Sequence, residues 1–532
     1  MSSATPTRQQ GTPLPARLLL ALGGGVLLWL AFPTTGLWYA AWLGCALLAA
    51  AGWAARAGTG FLVGLFGGLA FFVPTLSWSG VYVGRLPWAA LATLEALYIA
   101  LMVAVVGALQ RRLLTAGRGW AAYLLIPLGW MVGEWARSTT PFGGFPWARL
   151  AFSQADAPIR ALAMLGGAPL LTAGVAAIGA LLLAGFRAAV AHRIRRSAVT
   201  ALTLAALVAV VWAIPLPATS GEHARIGLVQ GNVPHPGLDF NAERRAVLDN
   251  HVAVTTQLAA TERAPMDLVV WPENASDIDP LRNSDAAARI VDALQSVGGP
   301  LLVGAILNEP APYFSNVSLL YRPGRAEPER YAKQHPVPFA EYVPYKDFFR
   351  HFNDKVDLVR NGMAAGDRTG YFELTTRDGR PFAVLPSICF EVAYDALVRD
   401  SVQQNPGRPS VLVVQTNNAT FGYTAESEQQ YAISRIRAIE HGRAVVHVST
   451  VGVSGFIAPD GSGAPQSRLF TPYAAAQDVP LRTGLTPAAR LGALPEYAAL
   501  AGLLLAASFG RRVRPVTLAP TPSRRPKELA GA

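Results

Sequence analysis

The sequence predicts an α-helical membrane bundle of about eight spans that carries one α/β domain outside the membrane. The first observation is composition: of 532 residues, 52% are hydrophobic and only 15% are charged, against about 25% charged in an ordinary soluble protein. The second is charge distribution. Residues 216–490 contain 25 basic and 29 acidic residues, whereas the remainder contains 20 basic and 5 acidic ones. Basic residues beside apolar blocks are typical of membrane proteins, so we exclude nucleic acid as a partner.

The apolar blocks are long enough to cross a bilayer, which takes about 20 mostly apolar residues. The predicted spans are 17–33, 35–54, 59–78, 88–110, 119–136, 169–187, 199–215 and 489–509. The first block follows Arg8 and Arg17, as the apolar part of a signal peptide does. Because six further spans follow closely and no clear cleavage site is present, we interpret it as an uncleaved span.

Arginine placement predicts the orientation of these spans. With the N-terminus in the cytoplasm, the inside loops and tails hold sixteen basic residues, whereas the short outside loops hold only Arg85, Arg137, Arg149 and Arg160. The predicted location is therefore the cell (inner or cytoplasmic) membrane, with the α/β domain on the extracytoplasmic face. The predicted parts are an N-terminal cytoplasmic tail (1–16), a seven-span domain (17–215), the outward α/β domain (216–488), an eighth span (489–509) and a basic, disordered cytoplasmic tail (510–532).

The outward domain alternates short apolar strands with amphipathic helices. Strands are predicted at 225–233, 267–274, 300–307, 316–323, 380–388 and 410–418, helices at 242–262, 392–400 and 426–443, and a hairpin-like pair at 444–461. Nearly continuous Val, Ile and Leu strands indicate a largely buried sheet covered by helices. About 270 residues suffice for one such domain.

Two carboxylates lie inside predicted spans, where burying a charge is costly. Glu95 is in the fourth span, and a functional role and an interhelical packing role stay equally open for it. Glu134 is near the outer end of the fifth span, where it can reach the interface.

The two cysteines have different settings. Cys45 lies in an apolar span and is expected to be a small packing residue. Cys389 follows the predicted strand 380–388 and precedes a helix, so it lies at a strand-to-helix corner. A helix N-terminus lowers the pKa of a nearby thiol, so we expect a thiolate there.

Two further residues join Cys389 as candidates for catalysis. Glu273 ends the predicted strand 267–274, and the strand ends of one sheet edge meet in space. Lys333 is one of four lysines in a chain with 41 arginines, and apolar residues and prolines flank it. A compact ammonium fits beside an oxyanion where a guanidinium does not. The histidines lack metal-ligand spacing and two cysteines cannot form a zinc site, so we predict no metal and no cofactor.

Three motifs carry a family resemblance. WPEN around Glu273, YAKQHPVPFAEYVP around Lys333 and SICFE around Cys389 resemble the Glu-Lys-Cys motifs of the nitrilase superfamily. Together with the spans, the chain from about residue 17 to 510 resembles the apolipoprotein N-acyltransferase family. PFGGFPW (141–147), VQGN (229–232) and TNNATFG (416–422) are also similar to family segments. The chain departs at Phe390 and Thr420, where members often carry a tyrosine and an aromatic residue, respectively.

The resemblance implies an α-β-β-α sandwich and a ping-pong acyl transfer. It implies that Cys389 is the nucleophile, Glu273 the general base and Lys333 the oxyanion stabiliser, with Glu341 and Glu391 supporting them. The implied substrate contacts are Phe142, Trp147, Asn232, Phe390 and Phe421. The implied partners are a membrane phospholipid as acyl donor and a diacylglyceryl-modified lipoprotein as acceptor.

Two other functions remain open. A membrane-tethered amidase of the nitrilase type would use the same three residues to hydrolyse a carbon–nitrogen bond. An acyltransferase must keep water from the thioester, whereas an amidase must admit it. The aromatic loop 141–152 is a candidate for the apolar lining that excludes water. A non-catalytic receptor or scaffold is disfavoured because Glu273, Lys333 and Cys389 occur together in the family order.

Overall fold

Helices occupy each of the eight predicted spans. The structure, a computed structural model, describes residues 12–234, 243–352, 356–357, 359 and 361–509; the predicted C-terminal tail and most of the N-terminal one lie outside these ranges. The helices are α1 (Leu14–Leu30), α2 (Ala40–Gly52), α3 (Ala57–Thr75), α4 (Arg85–Thr115), α5 (Ala121–Thr139), α6 (Leu162–Val190), α7 (Ile194–Trp212) and, after the α/β domain, α14 (Leu494–Phe509).

Four of these helices, α3, α4, α6 and α7, are long and apolar enough to cross a membrane. The helices α1, α2 and α14 are apolar but shorter, and α5 contains Glu134 and Arg137. The chain is a membrane protein; the count of eight spans stays a prediction.

Small residues allow close packing of the first helices. A Cβ on Gly25 of α1 would lie 2.2 Å from the Gly67 carbonyl oxygen of α3, and one on Gly44 of α2 would lie 2.8 Å from the Gly24 carbonyl oxygen. These glycines therefore bring three helix backbones together, as small residues do in membrane bundles.

The α/β domain contains two sheets. The strands are β1 (His223–Gln230), β2 (Leu268–Val270), β3 (Leu301–Leu307), β4 (Ser315–Tyr321), β5 (Glu329–Ala332), β6 (Phe372–Thr375), β7 (Pro381–Ile388), β8 (Ser410–Thr416), β9 (Val445–Ser449), β10 (Gly455–Ile457) and β11 (Tyr473–Pro480). The first sheet has the order β11-β1-β2-β3-β4-β5 and the second β10-β9-β8-β7-β6. The pairs β1–β2, β2–β3, β7–β8 and β8–β9 are parallel.

Alternating side chains of the first sheet contribute to two different cores. Leu268 and Val270 of β2 belong to the cluster that includes the second sheet, whereas Val269 packs with Leu248 and Ile290 of the covering helices. Those helices are α8 (Arg244–Thr261) and α9 (Ser284–Val297), and α11 (Asp395–Gln403) and α12 (Glu426–His441) pack on the second sheet. Two short helices, α10 (Lys346–Arg350) and α13 (Pro487–Leu491), complete the described elements. The layers form the predicted helix–sheet–sheet–helix sandwich.

All six separately predicted strands form, and the segment 444–461 forms the antiparallel pair β9–β10. Residue 242 of the predicted helix 242–262 lies outside the described residues, and α8 begins at Arg244. The strands β5, β6 and β11 and the helix α9 were not predicted. The strand β11 consists largely of alanine and polar residues and is partly exposed, so its apolar pattern is weak.

Candidate active site

Glu273, Lys333 and Cys389 meet at one end of the sandwich. Glu273 follows β2, Lys333 follows β5 and Cys389 follows β7. Their relative exposures are 5%, 1% and 5%. Lys333 Nζ lies 3.3 Å from Glu273 Oε1, and the Cys389 side chain lies close enough to the Glu273 carboxylate to influence its pKa. The structure therefore brings together the three residues that the sequence predicts for catalysis.

A second carboxylate shares the lysine. Glu341 Oε1 accepts a hydrogen bond of 2.8 Å from Lys333 Nζ, and its other oxygen accepts one of 2.7 Å from the Val337 N–H. Asn316 Nδ2 donates to both Glu273 Oε1, at 2.7 Å, and Glu341 Oε1, at 3.2 Å. Glu341 thus fixes the lysine between two carboxylates, as its expected supporting role requires.

Charges within the site control its ionisation. Burial alone would lower the pKa of Lys333, but Glu341 and Glu273 raise it well above its ordinary value. Burial raises the pKa of Glu273, and the Lys333 ammonium opposes that shift. The lysine therefore stays an ammonium, while Glu273 is a stronger base than an exposed glutamate.

The thiol is placed by a strained corner. Cys389 has φ of +56°, a conformation that side chains with a Cβ rarely adopt, between β7 and a short 3₁₀ helix, Cys389–Ala393. Thr416 Oγ1 lies 3.4 Å and Gln430 Nε2 3.8 Å from Cys389 Sγ. Cys389 lies at a strand-to-helix corner, as predicted. Its backbone conformation is strained, so the surrounding residues must hold it in place.

The expected low thiol pKa is wrong. Burial, followed by the negative charge of Glu273, raises the pKa of Cys389 well above its ordinary value, although Lys333 opposes the shift. The helix after Cys389 is a single short 3₁₀ turn, and it does not offset the loss of solvation. The resting thiol is neutral, so it needs a base to react.

Glu391 joins the lysine segment to the nucleophile segment. Its carboxylate accepts hydrogen bonds from the Tyr331 hydroxyl, at 3.0 and 3.1 Å, and from the Gln334 and His335 N–H groups, at 2.7 and 3.3 Å. It also accepts one of 2.7 Å from the Ile388 N–H. Glu391 therefore joins the backbone next to Lys333 to the backbone next to Cys389 and is more than a carboxylate in a first helical turn.

Aromatic side chains from the membrane part form a wall beside Cys389. Trp147 stacks on Phe390 with ring centroids 4.5 Å apart. Trp78, which follows α3, packs against Trp147, Phe390 and Phe421 at 5.5, 5.9 and 5.0 Å. The loop that contains Trp147 thus reaches the nucleophile corner as predicted. Trp78 was missed, because its partners in the α/β domain are more than 300 positions away in the sequence.

Two predicted contacts lie elsewhere. Phe142 packs with Phe339, Tyr345 and Phe349, at centroid distances of 5.9, 6.1 and 6.5 Å, in the segment after Lys333. Asn232 donates from Nδ2 to the Phe470 carbonyl and from its backbone N–H to the Thr450 carbonyl. Asn232 therefore fixes backbone at the junction of the two sheets.

Several polar residues of the site were not singled out as candidates. The Asn417 N–H donates to Glu273 Oε2 at 2.8 Å, and the Thr450 hydroxyl donates to the Glu273 carbonyl at 2.7 Å. Gln430 Oε1 accepts hydrogen bonds from Thr416 and Asn418. The segment TNNATFG after β8 is the signal that could have identified Thr416, Asn417 and Asn418.

The fold is a helix–sheet–sheet–helix sandwich attached to membrane helices, and its candidate site holds a buried thiol, carboxylate and lysine together. Residues 225–479 match the carbon-nitrogen hydrolase family, and residues 24–181 match the apolipoprotein N-acyltransferase N-terminal domain. The chain is 39% identical to the apolipoprotein N-acyltransferase of Mycolicibacterium smegmatis, over 94% of this chain and 86% of that one. It is 32% identical to that of Ralstonia nicotianae, over 85% of each chain.

The chain belongs to the apolipoprotein N-acyltransferase family, and it is an acyltransferase with a nitrilase-superfamily domain. Among solved structures, an amidase of this superfamily from Nesterenkonia matches with a TM-score of 0.38 and 15% identity, covering 54% of this chain and 99% of the amidase. The amidase alternative is weaker, because these curated relatives are named as acyltransferases over nearly the full chain.

Proposed function

We propose that this enzyme moves an acyl chain from a membrane phospholipid to the α-amino group of the S-diacylglyceryl cysteine of apolipoproteins. Family membership supports the reaction. The observation that carries the mechanism is the buried contact of Glu273, Lys333 and the Cys389 thiol beside Trp78 and Trp147 of the membrane part. This arrangement supports the roles of Cys389 as nucleophile, Glu273 as base and Lys333 as fixed positive charge in the reaction of a lipid ester.

In the first half-reaction, Glu273 takes the proton of the Cys389 thiol, and the sulfur attacks the sn-1 ester carbonyl carbon. Lys333 and a backbone N–H near Cys389 stabilise the negative oxygen of the tetrahedral intermediate. The carbon–oxygen bond breaks, Glu273 returns the proton to the departing alkoxide, and a lysophospholipid leaves. Cys389 then holds the acyl chain as a thioester.

In the second half-reaction, the α-amino nitrogen of the diacylglyceryl cysteine attacks the thioester carbon. Glu273 takes the amine proton, and Lys333 again stabilises the oxyanion. The carbon–sulfur bond breaks, the thiolate recovers a proton through Glu273, and an amide forms. The same residues thus serve both steps, and the raised pKa of Glu273 suits it to accept and return a proton.

Exclusion of water separates transfer from hydrolysis. Trp147 and Phe390 are buried and stacked next to the thiol, and Phe421 is half-buried beside them. Apolar rings offer water no hydrogen bonds, so the thioester is shielded until the amine arrives. Exposed aromatic residues near Phe142, such as Tyr345, provide apolar surface for a lipid chain.

We place the enzyme in the cell's inner (cytoplasmic) membrane with the catalytic domain on the extracytoplasmic face. The support is the distribution of basic residues beside the spans, sixteen in the inside loops and tails against four in the short outside loops. Two of the four, Arg137 and Arg149, form buried ion pairs with Glu134 or Glu95 in the structure, so they are held by protein charges. Both lipid substrates then lie in the leaflet next to the site.

The test is a pair of cysteine substitutions in the full-length enzyme, with phospholipid vesicles and a diacylglyceryl peptide. Cys389→Ala is expected to abolish acyl transfer, and Cys389→Ser to lower it at least ~1,000-fold, because a hydroxyl ionises far less than a thiol. Cys45→Ala is the matched control, since Cys45 is buried in α2 against α6. It is expected to keep at least about half of the activity. Acyl transfer that persists in Cys389→Ala would overturn the proposal.

A further inference from the structure

A continuous chain of charges, buried except at the partly exposed Asp395, links the membrane helices to the nucleophile segment. Its members alternate in sign from one to the next, and they come from α4, α5, the loop after α5, α11 and α12. They are Glu95, Arg137, Glu134, Arg149, Asp395, Arg437 and Glu440. Buried charges are costly unless each is paired, so this chain is a constructed feature that the catalytic triad does not explain.

The membrane half of the chain is fully enclosed. Arg137 Nη1 lies 3.1 Å from Glu95 Oε2, and Arg137 Nη2 lies 3.9 Å from Glu134 Oε1. Glu134 also accepts from Arg149 Nε at 3.2 Å and from the Thr172 hydroxyl at 2.7 Å. Glu95 and Glu134 are therefore ion-paired, and Glu134 does not reach the interface.

The chain then crosses into the catalytic domain. Arg149 Nη1 lies 2.5 Å from Asp395 Oδ2, and Arg437 Nη2 lies 2.6 Å from Asp395 Oδ1. Arg437 also pairs with Glu440 on the same helix. Although burial raises the pKa of Asp395, Arg149 and Arg437 outweigh it and lower that pKa below its ordinary value. Asp395 is thus a carboxylate shared by one arginine from each part of the molecule.

Both ends of the segment after Cys389 are held by this chain. Arg437 donates to the Val392 carbonyl at 2.8 Å and to the Ala393 carbonyl at 2.7 Å. These two residues end the short helix that begins at Cys389. Arg137 donates to the Trp147 carbonyl at 2.6 Å, and the Trp147 ring stacks on Phe390. The charges therefore act on the residue next to the nucleophile and on the end of its helix.

We propose that Arg149 and Arg437 are positioning residues that hold the Cys389 segment in its reactive conformation through Asp395. The inference rests on the proposed nucleophilic role of Cys389. The strained backbone at Cys389 persists only where its surroundings fix it, and Arg149 supplies that restraint from the membrane part. The hydrolase-type domain is thus competent only when docked on its own helices.

A second ion pair across the same boundary provides the matched control. Arg435 of α12 forms two hydrogen bonds, of 2.6 and 2.9 Å, with Asp156 of the loop after α5. Asp156 is 64% exposed, and its hydrogen-bond partner Arg435 otherwise donates to the Gly461 carbonyl, away from residues 389–395. Removing this exposed pair takes away one contact across the boundary but none that touches the nucleophile segment.

The experiment uses full-length enzyme in which Cys45→Ala leaves Cys389 as the one thiol. Arg149→Met, Asp395→Asn and the double variant are compared with Asp156→Asn. The readouts are kcat and KM for transfer from phosphatidylethanolamine vesicles to a diacylglyceryl peptide, and the rate of Cys389 alkylation by N-ethylmaleimide. We expect each single variant to lower kcat at least ~10-fold with KM within about 2-fold, and to change the alkylation rate at least ~5-fold. The double variant is no worse than the poorer single, and Asp156→Asn stays within about 2-fold of the parent.

The proposal would be overturned if folded Arg149→Met and Asp395→Asn had the kcat and the alkylation rate of the parent. It would also be overturned if Asp156→Asn lost as much kcat as these two variants. If Arg149→Met does not fold, Arg149→Lys is measured instead. Lysine keeps the positive charge but cannot bind Glu134 and Asp395 at the same time as the guanidinium does. This variant is expected to fold, with kcat lowered at least ~5-fold, and normal kcat in it contradicts the proposal. Complete alkylation of Cys389 that leaves acyl transfer intact would instead overturn the proposed nucleophile.

Discussion

At the scale of single residues, the ionisation of Glu273 links the site's geometry to its chemistry. Its carboxylate contacts the Cys389 thiol and lies 3.3 Å from the Lys333 ammonium. Burial raises the pKa of Glu273 and also that of the thiol. The resting thiol is therefore neutral, and Glu273 holds a transferred proton more tightly than an exposed glutamate does.

This ionisation predicts a pH dependence. Glu273 must be deprotonated to act as a base, so acyl transfer is expected to rise with pH through a pKa above the ordinary value of about 4.3. Glu273→Gln keeps the shape but removes the base, so it should be at least ~100-fold slower and lose this acidic limb. The measurement is kcat/KM between pH 4 and 8. A Gln variant with the parental pH profile would show that another group is the base.

The position of Lys333 predicts that arginine cannot replace it. Lys333 Nζ contacts Glu273 and Glu341 in a fully buried site, and a larger planar guanidinium cannot occupy the same point. Lys333→Arg is expected to lower kcat at least ~100-fold. The matched control is Lys346→Arg, because Lys346 lies on α10 beside Asp357 near the surface. Near-parental turnover in Lys333→Arg would mean that only long-range charge matters.

Local signals in the sequence predicted that Glu273, Lys333 and Cys389 lie together: a lysine among prolines, a lone outward thiol and a strand-end glutamate. Glu341, which contacts Lys333, was expected only from the family resemblance. The sequence could not predict the direction of the thiol pKa, which depends on burial by residues far away in the chain. The same holds for Arg149, whose partner Asp395 is 246 positions away. Local pattern identifies the reacting groups, whereas their environment comes from tertiary contacts.

At the scale of elements, the strand ends of the two sheets determine the distances within the site. A close approach of β3 to the end of β2 places Glu273: a Cβ on Gly304 would lie 2.1 Å from the Pro272 carbonyl oxygen and 2.8 Å from Glu273 Cα. Backbone atoms cannot yield as a flexible side chain does. Gly304 therefore determines how close β3 comes to the base.

Gly304→Ala is expected to push the Pro272–Glu273 backbone away from β3. It should cost about 1–3 kcal/mol of unfolding free energy and lower kcat at least ~10-fold. Gly407→Ala is the control, because a Cβ added at Gly407 would have no neighbouring atom within 4 Å. Thermal melting and turnover are measured in parallel. Parental turnover in Gly304→Ala would show that the base tolerates this displacement.

Strong apolar runs made the strands β1, β3, β7 and β8 predictable from sequence. The strands β5 and β6 are four residues long, and β11 is partly exposed, so none has a distinct apolar pattern. These edge strands depend on pairing for their structure. The helix α9, which was not predicted, is amphipathic, with Ile290, Ala293 and Leu294 buried against the first sheet. Their spacing of three to four residues is the sequence signal for this helix.

At the scale of the whole molecule, the segments between membrane helices reach the candidate active site. These segments bring Trp78, Trp147 and Arg149 into contact with the α/β domain. Gln429 of α12 accepts from both indole N–H groups, at 3.2 and 2.8 Å. A site built this way requires the catalytic domain and the loops after α3 and α5 to be on one side of the membrane.

The orientation predicts which positions a membrane-impermeant thiol reagent can reach. Asp367 is 95% exposed in the catalytic domain, and Arg195 is exposed at the start of α7. In a Cys45→Ala, Cys389→Ala background, Asp367→Cys should be labelled in intact cells whose outer barrier has been opened. Arg195→Cys should be labelled only after lysis of the membrane. The reverse pattern would place catalysis in the cytoplasm, away from exported lipoproteins.

The proposed mechanism depends on passage of the acyl chain through a thioester on Cys389. The direct measurement is mass spectrometry of full-length enzyme incubated with a phospholipid of one defined acyl chain and no acceptor. We predict one added acyl group, located on the Cys389 peptide and released by neutral hydroxylamine. Addition of a diacylglyceryl peptide should remove that group and yield the N-acylated peptide. An acyl group on another residue, or product formation by Cys389→Ala, would contradict the mechanism.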